Sequence, residues 1–201
     1  ASAGATIGHG LGSTPAVVFV KTRSIAFDWY IYNKNIGNTK YLELNTTNAE
    51  DTRSGAWNNT SPTSTVITLG SDDGANDNAG MVAYCFSEVK GYSKFGTYTG
   101  NGSSDGSFIY TGFKPAWVLV KNAADAHDWH LFDNKRLGIN PANERLNPNG
   151  SGAAVGSDDA FDFLSNGFKN RSGSSARNHN GQKIFYMAFA QSPFVASKKC
   201  C

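Results

Sequence analysis

The stretch Pro115-Ala-Trp-Val-Leu-Val-Lys121 repeats Pro15-Ala-Val-Val-Phe-Val-Lys21, one hundred residues earlier in the chain. A glycine stands three residues before each copy, at Gly12 and Gly112, and Asp-Trp follows each lysine at Asp28-Trp29 and Asp128-Trp129. Three signatures recurring at one offset mark an internal duplication. Proline fixes its own φ and has no N–H to donate, so it belongs at the first residue of a strand or on an edge. The five residues after it are apolar and rich in β-branched and aromatic side chains, which reads as a short strand buried on both faces. After a polar break, Trp29-Tyr-Ile-Tyr32 and Trp129-His-Leu-Phe132 alternate as a second strand, so each repeat opens with a hairpin.

Further strands follow in each half. In the first they are Tyr41-Leu-Glu-Leu44, Ser64-Thr-Val-Ile-Thr-Leu69 and Met81-Val-Ala-Tyr-Cys-Phe86, the last read as a closing core strand. In the second, Phe108-Ile-Tyr110 enters the unit, Phe161 to Phe168 reads as strand, Asn-Gly turn and strand, and Ile184-Phe-Tyr-Met-Ala-Phe-Ala190 closes it. Leu44-Asn45 matches Leu146-Asn147, Gly70-Ser-Asp-Asp73 matches Gly156-Ser-Asp-Asp159, Asn76-x-Asn78 matches Asn178-x-Asn180, and Val82-Ala-Tyr84 matches Met187-Ala-Phe189. The offset drifts because the loops differ in length. Residues 87–107 contain Tyr92, Phe95 and Tyr98 and are too apolar for a flexible spacer, so they are expected to lie across the surface or to pair as a strand between the units. The expectation is an all-β, antiparallel β-sandwich, jelly-roll or concanavalin-like, built from two related halves (1–86 and 108–195) packed as one body, with a tail at 196–201.

Composition agrees with many short strands and small polar turns: 22 glycines, 12% aromatic and only 17% charged residues among 201. A net charge of +2 with scattered Lys and Arg offers no stripe that would track a phosphate backbone, so no nucleic-acid partner is expected. No apolar run reaches the roughly 18 to 20 residues of a membrane span, and membrane insertion is not expected. The chain opens on Ala-Ser-Ala rather than Met and reads as a processed or excerpted part of something longer. Three cysteines fit neither a metal knuckle nor a disulfide framework; Cys85 reads as a small buried hydrophobe, and Cys200-Cys201 ends the chain.

Several clusters invite a chemical reading. Gly8-His-Gly-Leu-Gly12 precedes a strand instead of opening a helix, so tight turns explain it better than a phosphate cradle. In Asp125-Ala-His-Asp-Trp-His130, read as a strand, only two ligands share a face, short of the three or four that zinc requires. Asp72, Asp73, Asn76 and Asp77 supply the hard oxygens calcium prefers, in an order unlike the twelve-residue helical loop; Asx-rich loops also bond their own backbone. No nucleophile elbow and no singled-out carboxylate pair points to catalysis. Six Asn-x-Ser/Thr sites (Asn45, Asn58, Asn59, Asn101, Asn149, Asn170) reflect composition as readily as glycosylation. Trp57, Tyr92 and Tyr98, with one face of Tyr30 and Tyr32, are read as exposed aromatics beside amide-rich loops. Such rings stack on the C–H faces of sugars.

Gly8-His-Gly-Leu-Gly-Ser-Thr-Pro15, Val82-Ala-Tyr-Cys-Phe86, Gly91-Tyr-Ser-Lys-Phe-Gly-Thr-Tyr-Thr-Gly-Asn-Gly102, Gly112-Phe-Lys-Pro115, Ser165-Asn-Gly-Phe168 and Tyr186-Met-Ala-Phe-Ala190 together resemble a domain of unassigned function in tailed-bacteriophage structural proteins, commonly labelled tail fibres. The resemblance covers nearly the whole chain and implies a non-enzymatic virion component. It further implies a homo-oligomer, a trimer being one form, that contacts other virion proteins and displays a surface toward host-cell glycans. The family supplies no catalytic residue. The alternatives are a polysaccharide-degrading tailspike domain and a secreted carbohydrate-binding module.

Overall fold

The structure is a computed structural model and describes residues 2–78, 80–136, 140–156 and 160–192. The first half carries β1 (Ala5–Gly8), β2 (Val17–Thr22), β3 (Tyr30–Asn33), β4 (Lys40–Glu43), β5 (Asp51–Thr52), the one-turn helix α1 (Ser54–Trp57), β6 (Val66–Leu69) and β7 (Met81–Phe86). Then come β8 (Ser93–Thr99), β9 (Phe108–Tyr110), β10 (Pro115–Asn122), β11 (His130–Asp133), β12 (Phe161–Leu164), β13 (Gly167–Asn170), the one-turn helix α2 (Ser175–Asn178) and β14 (Lys183–Ala190). The chain is all-β, and its antiparallel sheets stack as a sandwich.

The duplication is physical. The proline-led strands β2 and β10 each take the hairpin strand on one side (β3, β11) and the closing strand on the other (β7, β14), giving β5-β4-β3-β2-β7 and β11-β10-β14-β8. Two smaller sheets, β1-β6 and β12-β13-β9, accompany them. Gly12 and Gly112 both have positive φ, +68° and +83°, so the chain enters each proline-led strand through a backbone geometry that favours glycine.

Side-chain alternation along the central strands separates three cores. Odd positions of β2, β10 and β14, such as Val17, Leu119, Phe185 and Met187, join Ile31, Leu42, Phe95 and Trp129 in a core between the two main sheets. Even positions face outward to the small sheets. Val18, Val20, Tyr30 and Tyr32 meet Trp57, Ile67 and Leu69, while Val118, Val120, Ile184 and Tyr186 meet Phe161, Phe163 and Phe168. Each main sheet is therefore covered on both faces, and its central strands carry continuous apolar runs, Val17–Val20 in β2 and Ala116–Val120 in β10, instead of alternating.

That layering corrects several expectations. Tyr30 and Tyr32 are buried under β6, not exposed. The closing strand β7 is a half-exposed sheet edge, and Cys85 on it is half-buried. The match of the closing strands also moves by two residues: Val17 faces Phe86 while Trp117 faces Phe189, so Tyr84-Cys-Phe86, not Val82-Ala-Tyr84, corresponds to Met187-Ala-Phe189. A slip of two preserves the inward face, which is why the sequence pattern alone did not reveal it. The hairpin loop of β12 and β13 is Ser165-Asn166, with Gly167 already paired to Leu164. Gly167 is required for another reason: a Cβ there would lie 2.1 Å from the Ile109 carbonyl oxygen of β9. Of residues 87–107, Ser93–Thr99 pair as β8, on the free side of β14 at the edge of the second half's main sheet and not as a strand shared by the two halves.

Candidate functional site

Each repeat fastens its Asp-Trp step with an asparagine from a later loop. The Trp29 amide donates to Asn45 Oδ1 (2.8 Å) while Asn45 Nδ2 donates to Asp28 (2.7 Å). In the second half the Trp129 amide donates to Asn149 Oδ1 (2.8 Å) and Asn149 Nδ2 donates to Asp128 (2.7 Å). The sequence match pairs Asn45 with Asn147, which also donates to Asp128 but at 3.2 Å. Asn45 and Asn149, together with the buried Asn170, which donates to the Arg177 carbonyl, spend their amides on the fold.

The lysine one residue before the end of each proline-led strand folds back on the next turn. Lys21 Nζ donates to the carbonyls of Thr22 and Ile25. Lys121 is fully buried, and its ammonium reaches three carbonyls: Asn122 (2.9 Å), Thr47 (3.1 Å) and Asp125 (3.3 Å). Burial pulls its pKa down to about 8 against the opposing pull of Asp128 and Asp125. Next to it, burial and the nearby Arg145 and Arg177 push His130 down to about 3, so its ring is neutral and Arg177 lies 3.4 Å from Nδ1. Asp128 is held by asparagines and His130 by Arg177, so the two face different partners and do not converge as a ligand pair.

The candidate calcium loop spends Asp72 and Asn76 on partners within the protein. Asp72 pairs with Arg53 (2.6 Å) and accepts from the Gly74 amide (3.0 Å), and Asn76 Nδ2 donates to the carbonyls of Gly70 (2.6 Å) and Ser2 (3.0 Å). Asp73 is exposed and Asp77 half-exposed. Among the described residues, no group of three or more His, Cys, Asp or Glu side chains is placed to hold a metal ion. In the matching loop, residues 157–159 lie outside the described residues, as do Cys200 and Cys201.

Of the three expected ligand-binding aromatics, Trp57 is buried, Tyr98 partly buried and Tyr92 exposed. Trp57 is 2% exposed, donates from Nε1 to the Lys40 carbonyl (2.9 Å) and packs edge-on against Tyr32. It closes the end of the core that Val18, Val20, Tyr30 and Tyr32 form with β6, because α1 turns it beneath β4. Tyr98 packs against the core around Phe161, Phe163 and Phe168 and donates to the Arg177 carbonyl (2.6 Å); burial raises its pKa. Tyr92 is 44% exposed, with its ring edge-on to Phe189.

Beside Tyr92 opens a cleft of ≈ 340 Å³ lined by Glu88, Lys90, Lys94, Tyr110 and Thr111. Tyr110, which the sequence places only in the short strand Phe108-Ile-Tyr110 that enters the second unit, is 65% exposed there, the highest value among the large hydrophobic side chains of the described residues. β9 is an edge strand whose middle residue Ile109 faces the core, which turns Phe108 and Tyr110 outward. Glu88 is fixed from three directions: Lys34 from the first repeat, Lys94 (3.2 Å) and the Phe95 amide (3.0 Å). Burial alone would raise its carboxyl, but these donors outweigh it and hold the pKa below the ordinary value. The cleft thus offers an open ring face, a fixed carboxylate and two ammonium groups, suited to stacking on a sugar ring and bonding its hydroxyls.

The chain belongs to the DUF7483 family, a domain of unknown function, whose model matches residues 1–193. No curated protein and no solved structure matches it.

Proposed function

We propose that this member of the family is a non-catalytic structural and adhesion module of a tailed-phage virion, and that the cleft around Tyr110 engages host surface glycans. The observation that carries the glycan reading is Tyr110: a large ring standing open beside Glu88, Lys90 and Lys94. Folding usually removes such rings from water, and an exposed one flanked by charged donors and acceptors is what carbohydrate recognition uses. The virion reading rests on the glycine and aromatic motifs of the sequence. A rigid stack of sheets with three cores would suit a module that must hold a binding face steady.

The test is direct. The chain is titrated against purified surface polysaccharides of candidate hosts, alongside Tyr110→Ala. Binding that falls about tenfold in the variant, with an unchanged melting temperature, supports the reading, because one stacked ring is worth roughly 1 to 1.5 kcal/mol. Binding by neither protein, or equal binding by both, refutes it at this cleft. Shortening of the polysaccharide during incubation would replace adhesion with a degrading activity, and immunogold labelling of virions tests the location.

A further inference from the structure

β7 and β14 occupy the same place in the two repeats, each beside its proline-led strand. What lies beyond them differs. The far side of β14 is taken by β8, in unbroken register from Lys183↔Thr99 to Phe189↔Ser93, whereas β7 ends its sheet with no further strand among the described residues. Ile184 to Ala188 are all buried, but in Met81-Val-Ala-Tyr-Cys-Phe86 no residue is fully buried and Tyr84 is 48% exposed. Natural proteins guard an open edge with charge, proline or a bulge. β7 has no charged residue or proline, and its register with β2 is unbroken.

Alongside this edge lies a groove of ≈ 290 Å³ lined by Ile7, Val20, Ile67, Leu69, Ala83 and Cys85. Its origin lies in the duplication. Val20 faces Ala83 where Val120 faces Tyr186, so the first repeat lacks the ring that fills this level of the second. There, Tyr186 packs near Tyr98 of β8, and both rings approach Phe168. The first repeat thus lacks both the added strand and the aromatic volume that come together in the second.

We propose that the open edge of β7 accepts an extended, aromatic-bearing strand of a partner protein other than a second copy of this chain, laid antiparallel as β8 lies on β14, with an aromatic side chain entering the groove over Ala83. The second repeat supplies the template for the occupant. Phe95 faces the core between the sheets, Gly96 lies flat where a Cβ would meet the Tyr186 ring at 2.8 Å, and Tyr98 turns toward the small sheet. With Ala83 in place of Tyr186, the glycine is not needed and the aromatic gains room. Main-chain hydrogen bonds provide affinity in this mode and the side-chain pocket provides selectivity. The groove involves none of the residues of the Tyr110 cleft, so the proposal does not depend on glycan binding.

The probe is a fluorescein-labelled peptide of residues 91–100, Gly-Tyr-Ser-Lys-Phe-Gly-Thr-Tyr-Thr-Gly, added to the whole chain and followed by anisotropy. Saturable binding is expected, with slowed amide exchange at residues 81–86. Tyr84→Lys, which puts a charge on the exposed edge, and Ala83→Tyr, which fills the groove as Tyr186 does, should each weaken binding by about tenfold or more. Should Ala83→Tyr fail to fold, Tyr84→Lys carries the test alone, since its site is exposed. Absence of binding, protection elsewhere than 81–86, or binding unmoved by Tyr84→Lys overturns the proposal. So does concentration-dependent dimerisation that protects 81–86 without peptide, which would assign the edge to a second copy.

Discussion

The two repeats share a strand order and an Asp-Trp-Asn clasp, yet the same tryptophan does different work in each. Trp29 is half-buried and stacks on Tyr84 of the exposed edge strand. Trp129 is fully buried, edge-on to Phe185, and its Nε1 donates to the Glu43 carbonyl of the other repeat (2.8 Å). Lysines follow suit: Lys21 reaches carbonyls of its own turn, while Lys121 also holds the Thr47 carbonyl across the repeats. A duplicated motif has kept its local geometry while one copy became the joint between the halves.

Truncation should separate them most. Trp129→Ala removes a fully buried indole and leaves the Glu43 carbonyl without this donor, so it is expected to cost about 3 to 5 kcal/mol. Trp29→Ala, at a half-buried site, should cost about 1 to 2 kcal/mol. Urea unfolding of both variants measures the difference. Equal losses would mean that the tryptophans serve only their local clasps, and the joint would have to lie in the apolar core between the sheets.

A second contrast lies at the first residue of each hairpin strand, Tyr30 in β3 and His130 in β11. Both are buried and both meet an arginine, Arg53 on the Tyr30 hydroxyl (3.2 Å) and Arg177 beside His130 Nδ1 (3.4 Å). Only the histidine titrates in the acid range. Its pKa falls from 6.5 to about 3 on folding, so below pH 6.5 the unfolded chain binds a proton that the native state refuses, and stability drops as pH falls. Between pH 6.5 and 5 this group alone should remove about 1.5 kcal/mol. His130→Gln keeps an acceptor for Arg177 and removes the titration, so the variant should lose less stability than the parent over that interval. Parallel losses would show that His130 is already charged in the fold.

How much of this was readable beforehand follows from the same contrast. The proline-led strands, their hairpin partners and β12-β13 were legible, because apolar runs between polar turns carry a strand signal on their own. The aromatic assignments fail where a second layer intervenes: nothing near Trp57 or Tyr30 in the sequence announces that α1 will turn the first beneath β4 or that β6 will cover the second. Tyr110 is not singled out, since three residues cannot display the alternation that separates a solvent face from a core face. The clasp partner Asn149 was hidden by loop length, lying 20 residues after Trp129 where Asn45 lies 16 after Trp29.

The smallest expected effect concerns the rim of the cleft, where Glu88 links Lys34 of the first repeat to Lys94 of β8 in the second repeat's main sheet. Here the joint is electrostatic and partly exposed, so Glu88→Gln should cost only about 0.5 to 1 kcal/mol at pH 7. The amide can still accept from the Phe95 N–H, which isolates the charge from the hydrogen bond. Because folding lowers this carboxyl below its ordinary 4.5, its contribution is present above that pH and disappears as pH falls through the folded value. The parent and Glu88→Gln curves of stability against pH should therefore lie apart at pH 7 and converge below pH 4.5, the reverse of the His130 pair, which should diverge as pH falls from 6.5. Added salt should shrink the Glu88 gap, as it does for exposed ion pairs, and leave that between Trp129→Ala and Trp29→Ala unchanged. A gap for Glu88 that survived at low pH or high salt would mean that packing around residue 88, rather than its charge, ties the connector to the first repeat.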